Sequence, residues 1–290
     1  MAHSRISLVA GVSVAVASAV ALGAFSGAAQ GSLADALTLH ASFDSRADAD
    51  FGLGDVRIYT AASYRAVDAA QAGVHNPDVT VVAGKGKYGG ALQFAAKNAM
   101  AVFYRAEKNV AYSARDWNGT VSFWLSLDPE QDLTGFSDPI QLTDKDYNNA
   151  ALWVDFTNDR PRHFRLGVFP DLTAWNPERV TGQTHPAWLR HTVVVTPTPF
   201  ARQKWTHVAF TFSGLNGPTG SARLYLDGTL QGAAATAPEQ FTYDPARATI
   251  RLGVNYVGLL DDLAIFSRAL SDREVQSLHA RPSGASGLRR

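Results

Sequence analysis

The sequence predicts an all-β fold: a two-sheet antiparallel sandwich closed by one short C-terminal helix. Three observations predict it. Period two is the dominant periodicity, an Asp-Gly hairpin signal lies between two β-type runs, and one capped helical segment follows the last strand. Strands do not alternate with longer helical patterns, so a parallel α/β sheet is not expected.

Taken in order, Leu37, Leu39, Ala41 and Phe43 alternate with Thr38, His40 and Ser42. Val121, Phe123, Leu125 and Leu127 alternate with Ser122, Trp124 and Ser126. Leu152, Val154 and Phe156 alternate with Trp153 and Asp155, and Phe164, Leu166 and Val168 with Arg165 and Gly167. Val208, Phe210 and Phe212 alternate with Ala209 and Thr211. Successive side chains of a strand point to opposite faces, so each pattern supplies one apolar row for a buried face. Asp227-Gly228 lies between the apolar runs ending at Leu226 and beginning at Thr229, and predicts a type I′ turn, which needs positive φ at both positions. The last strand spans Gly258–Phe266. Ser271 and Glu274 then form a capping box, with Leu270 and Val275 placed as a hydrophobic staple, which predicts a short helix ending near Leu278 and His279. Residues 281–290, rich in Gly, Ser and Arg, read as a disordered tail.

The N-terminus is set apart. Arg5 precedes an uncharged run over residues 6–25, and small residues follow at Ser26, Gly27, Ala28 and Ala29. Residues 1–29 therefore read as a secretory signal peptide cleaved after Ala28 or Ala29. The alternative is an uncleaved anchor, because the run is near the ~20 residues needed to span a bilayer. Such a peptide leads us to expect export, to the outside of the cell, the periplasm or the cell envelope. The remaining segment, residues 33–280, reads as one domain without repeat or linker.

Composition excludes several functions. The 26 basic and 26 acidic residues balance to zero net charge, which argues against a nucleic-acid binder. The absence of cysteine excludes disulfides, thiol catalysis and cysteine-type zinc sites. No second apolar segment is long enough to span a membrane, so the mature protein is expected to be soluble. Two long loops, 61–90 and 170–191, stand out, and long ordered loops are disproportionately functional.

Four segments carry a family resemblance: LHASFD at 39–44, GGALQF at 89–94, WTHVAFTF at 205–212 with LYLDG at 224–228, and GLLDDLAIFSRALS at 258–271. In this order they resemble the laminin-G-like, concanavalin A-type jelly rolls of exported bacterial proteins. The resemblance implies a jelly-roll topology for the sandwich. One departure is Ser213-Gly214, where the family often has Asp-Gly. The fold hosts lectins, glycoside hydrolases, lyases and adhesion modules, so function must be argued from the site.

Laminarinase-like enzymes on this fold carry Glu-x-Asp-x-x-Glu on one strand, and retaining hydrolysis needs two carboxylates about 5 Å apart. The five glutamates here, Glu107, Glu130, Glu178, Glu239 and Glu274, form no such motif. A lyase would use Tyr, His, Arg and Gln; Tyr225, His163, Arg165 and Gln141 are of the right types but carry no motif. No nucleophile elbow is present. No catalytic residue is assigned, and binding is favoured over catalysis.

Asp261 shares the period-two face of Leu259, Leu263 and Ile265, which is expected to point inward. A buried carboxylate needs backbone N–H donors, an arginine or a metal. The resemblance implies one structural Ca²⁺ here, with Asp44 at the end of the first strand as the neighbouring ligand; backbone hydrogen bonding is the alternative. Asp48, Asp50 and Asp55 lack the spacing of an EF-hand and read as turn residues.

A ligand face is expected where Trp153, Asp155 and Arg165 point away from their strands' apolar rows, bordered by Trp175 and Trp188 of the 170–191 loop. Sugars stack on indoles and pair with planar polar groups. The alternative is that the loop folds back and buries both of its tryptophans. Trp117, Trp124 and Trp205 read as core or cross-strand residues. Three functions remain open: a non-catalytic module binding a glycan or extracellular matrix polymer, a polysaccharide-degrading enzyme, or an adhesion domain with a protein partner.

Overall fold

The computed structural model describes residues 31–288 apart from Asn98 and Ala237. The signal-peptide reading of residues 1–29 lies outside the described residues. Seventeen strands form two antiparallel sheets among the described residues. Sheet I runs Thr229–Ala235, Ser221–Leu226, Thr206–Leu215, Trp117–Ser126, Gly258–Phe266, Leu37–Ala41 and Phe51–Gly52, and Ala91–Phe94 with Val79–Val82 attach to Gly258–Phe266. Sheet II runs Thr192–Val195, Phe164–Phe169, Ala151–Phe156, Ser137–Thr143, Thr249–Val254, Ala101–Arg105, Ile58–Ala61 and Gln71–Ala72. The result is an all-β sandwich with one eight-residue helix near the C-terminus.

The apolar rows meet between the sheets. Val121, Phe123 and Leu125 of sheet I share one buried cluster with Leu152, Val154 and Phe156 of sheet II. Each such side chain stabilises the fold by roughly 1.5–3 kcal/mol on burial. Trp117 closes one end, its ring 4.8 Å from Phe212 and 5.0 Å from Tyr243, and its indole N–H donates to the Val110 carbonyl at 3.1 Å. Trp205 differs from expectation: it precedes the strand Thr206–Leu215 and is only half-buried.

Local signals form as their chemistry requires. Asp227 and Gly228 both take positive φ, 47° and 75°, and the Asp227 carboxylate also accepts the His207 N–H at 2.9 Å. The capping box forms at the helix Asp272–His279, where Glu274 Oε2 accepts the Ser271 N–H at 2.8 Å. Arg268 forks onto Glu274 and, as the largest cause, holds its carboxyl down at about 2. Val275 and Leu278 dock this helix on Leu270, Tyr225 and Phe266.

Two expectations are corrected. The described part of the tail packs on the fold: Gly284–Leu288 form a 3₁₀ turn, and the Ala285 N–H donates to the Asp262 carboxylate at 3.0 Å. Asp262 is a buried acid that needs donors, and the tail supplies one beside His40 Nε2 at 2.9 Å. Asp261 does not share a face with Leu263 and Ile265. The pairing with Trp117–Ser126 slips between Asp261 and Ala264, and Asp262 takes φ 49°, so a bulge shifts the alternation by one residue. Leu260, Leu263 and Ile265 enter the main core, while Asp261 sits opposite Trp124 on the other face of sheet I.

Candidate ligand-binding cleft

The outer face of sheet II carries a cleft of about 460 Å³. Its floor follows from strand register. Gly167, Trp153, Gln141 and Arg251 stand side by side on four neighbouring strands, and Arg165 pairs with Asp155 one step along. Gly167 is needed there: a Cβ at this position would lie 2.2 Å from the Trp153 ring, so only glycine lets the indole lie across the next strand. The Trp153 N–H donates to the Tyr147 carbonyl at 2.6 Å, which holds the 144–150 turn against the sheet.

The 170–191 loop folds back over this face. Asn176 staples it by accepting the Val180 N–H at 2.8 Å and donating to the Val180 carbonyl at 3.0 Å. His185 caps the turn Pro186–Leu189 by accepting the Ala187 N–H, which sets Trp188 on Phe169 at 4.3 Å. Trp175 packs edge-on behind Trp188 at 5.9 Å. His191 lies fully buried against Phe169 and Trp175, and burial pushes its pKa down to about 4.

The floor is polar and bonded. Arg165 donates to both oxygens of Asp155, at 2.9 and 2.5 Å, and its third arm reaches Gln183 Oε1 at 2.8 Å. Gln141 Nε2 donates to Asp138 at 2.8 Å, while Gln141 Oε1 accepts from Arg251 at 2.6 Å. Burial pushes the Asp138 and Asp155 carboxyls up, and the Asp155 charge pushes Asp138 further. The Arg165 fork opposes that shift at Asp155. Tyr147 and Phe136 stand at the rim, 43 % and 42 % exposed. Trp188 lines the cleft, and its buried indole N–H has no acceptor among the described residues.

Of the residues read from sequence, Trp153, Asp155, Arg165 and Trp188 line this one cleft. Trp175 does not; it borders a smaller hollow of about 180 Å³ behind Trp188. Among the lyase-type residues only Arg165 and Gln141 meet. Tyr225 lies on sheet I bonded to Asp272, and His163 sits beside Thr196. Sequence reasoning missed Tyr64, Phe136, Asp138, Tyr147, Gln183 and Arg251. Arg251 had a signal, since it alternates with Ile250 and Leu252 in a strand.

The second expected site lies elsewhere, on sheet I. Asp261 is fully buried and accepts the Tyr88 N–H at 3.0 Å and the Asp262 N–H at 2.7 Å. Burial pushes its carboxyl up to about 7. Asp44 accepts the Gly90 N–H at 3.0 Å, so both acids anchor the same 84–90 turn. No group of three or more His, Cys, Asp or Glu gathers for a metal among the described residues. Asp48, Asp50 and Asp55 act as turn residues, accepting the Ile58, Ser42 and Arg57 N–H groups.

A family model described as the concanavalin A-like lectin/glucanases superfamily matches residues 107–276, more than half of the chain. No curated protein matches it in sequence. Among solved structures, domain 4 of AbnA, a GH43 extracellular arabinanase from Geobacillus stearothermophilus solved with arabinotriose, is similar. It has 20 % identity and a TM-score of 0.54, over 85 % of this chain and 98 % of that one. The receptor binding domain of botulinum neurotoxin C/D mosaic serotype aligns at 14 % identity and TM-score 0.56, over 85 % and 51 %. The binding domain of Paraclostridial Mosquitocidal Protein 1 aligns at 14 % and 0.54, over 86 % and 52 %. This chain spans about half of each toxin domain. Identities this low establish a shared fold.

Proposed function

This chain belongs to the concanavalin A-like lectin/glucanase superfamily, and from that premise we propose that it is an exported, non-catalytic module whose sheet II cleft binds a carbohydrate. One observation carries the reading. A concave site combines exposed aromatic rims, Tyr147 and Phe136, with planar polar groups, Arg165, Gln141 and Arg251, on its floor. Sugar rings stack on the first, and hydroxyls take up the others. Arg165 engages both oxygens of Asp155, which suits a fixed polar floor for binding. A neighbour of matching extent was solved with arabinotriose, so short oligosaccharides of a glycan or matrix polymer are the first class to test.

The experiment is a glycan array followed by calorimetry, with Tyr147→Ala and Phe136→Ala as rim variants. Loss of affinity by about tenfold in each is expected, the effect of about 1.4 kcal/mol. Array binding undiminished in both variants, or no binding to any glycan, overturns the reading.

Calcium at Asp261 and Asp44 is a separate proposal. A bound Ca²⁺ would hold Asp261 as the carboxylate and stabilise the fold by about 2.7 kcal/mol at a hundredfold excess over Kd. Excess EGTA should lower the Tm; an unchanged Tm sinks the idea.

A further inference from the structure

Arg251 lines the cleft floor at the end of the Gly167–Trp153–Gln141 row, 5 % exposed, with the Tyr64 ring 4.8 Å from its guanidinium carbon. It donates to Gln141 Oε1 at 2.6 Å, to the Lys145 carbonyl at 2.9 Å and to Thr249 Oγ1 at 3.2 Å. All three acceptors are neutral, and a guanidinium has five N–H groups to place. Among the described residues no carboxylate lies within ion-pair distance of it.

The buried charges around it are committed elsewhere, and Arg65, a further cation lining the cleft, is exposed. Arg165 is matched by Asp155. Lys145 turns its ammonium to Asp144 at 3.4 Å and Asp171 at 3.6 Å. Asp146 and Asp138 are the acids whose field reaches Arg251; Asp146 is exposed, and Asp138 spends its hydrogen bond on Gln141. Burial also pushes the Asp138 carboxyl towards its neutral form. Arg162 is another buried guanidinium, but the carbonyls of Leu133, Gly135 and Thr157 enclose it, and it does not line the cleft.

The cleft floor thus carries a cation without an anionic partner, at the place a ligand would cover. A neutral sugar lying over Arg251 would remove water from that charge and return only hydroxyl contacts. A carboxylate would supply the counter-ion, in the planar geometry a guanidinium matches. We propose that the cleft selects an acidic saccharide, a sugar bearing a carboxylate, with Arg251 as the counter-ion of that group. This rests on the reading of the cleft as a carbohydrate site.

The test compares tetragalacturonate with its fully methyl-esterified form, which has the same sugars without the charge, by calorimetry on the purified protein. The acid is expected to bind at least about tenfold more tightly, the effect of one charge-assisted hydrogen bond. Raising the salt should narrow that gap. Arg251→Gln should bring the two affinities close together, and Arg251→Lys should keep part of the preference, with circular dichroism checking that each variant is folded. The comparison on the unaltered protein stands even if a variant does not fold. Equal binding of the acid and ester, or tighter binding of the ester or of neutral arabinotriose, overturns acidic selection and leaves the carbohydrate reading intact. Failure of every oligosaccharide to bind overturns both.

Discussion

Replacing His207 with glutamine should flatten part of the acid limb of the stability curve. The ring is 1 % exposed, 5.0 Å from Trp124 and 5.5 Å from His279. Its Nε2 shares a 2.8 Å hydrogen bond with Ser122, and its buried Nδ1 has no partner among the described residues. Burial first, and then the neighbouring His279, push its pKa from 6.5 down to about 3. Lys87 stands 4.5 Å over the Trp124 ring and adds positive charge to the same neighbourhood. The unfolded chain takes up a proton near pH 6.5, whereas the folded protein does not until about pH 3. Between those limits the unfolded state binds more protons, so stability falls as pH falls. The full window is worth at most roughly 5 kcal/mol, at about 1.36 kcal/mol per pH unit. From pH 6.5 to 4.5 the loss is about 2–3 kcal/mol, or roughly 5–10 °C in Tm for a domain of this size. The assay is thermal and urea unfolding of both proteins at several pH values. Other groups titrate in both and cancel in the difference. The variant should start lower at pH 7 by about 1 kcal/mol, having lost ring packing, and then lose less on acidification. Parallel stability curves from pH 6.5 to 4.5 would refute the reasoning.

Two further outcomes follow from the cleft. Asp155→Ala leaves the Arg165 guanidinium buried without its anion and should cost about 3–5 kcal/mol by denaturant unfolding; the double change Asp155→Leu with Arg165→Met should cost less than the single one, and a larger cost would contradict the pair's desolvation. Gly167→Ala drives a methyl into the Trp153 ring and should destabilise by about 1–3 kcal/mol, with a shift in tryptophan emission and weakened binding in the cleft; an unchanged emission spectrum would show that the indole does not lie across that strand.

The sandwich was legible in the sequence because its signals are local. Leu152, Val154 and Phe156 announce a strand face through neighbours two residues apart, Asp227-Gly228 announces a turn through backbone freedom, and Ser271 with Glu274 announces a helix start through one reciprocal pair of hydrogen bonds. The same alternation placed Trp153, Asp155 and Arg165 on one side of their strands. What lies across from them was not legible. The step of the cleft-floor row from Gln141 to Arg251 depends on the register of strands in which these paired residues lie 110 positions apart in the chain, which packing decides and no short window contains. The position of Asp261 depends on one extra residue, Asp262, whose bulge is held by His40 and by the C-terminal tail. The sequence by itself determined the layers and the residue types available to each face. Only the tertiary structure decided that the 170–191 loop would bury its tryptophans, and that Arg251 would lie beneath the cleft without an anion, because burial and charge pairing are settled by contacts distant in the chain.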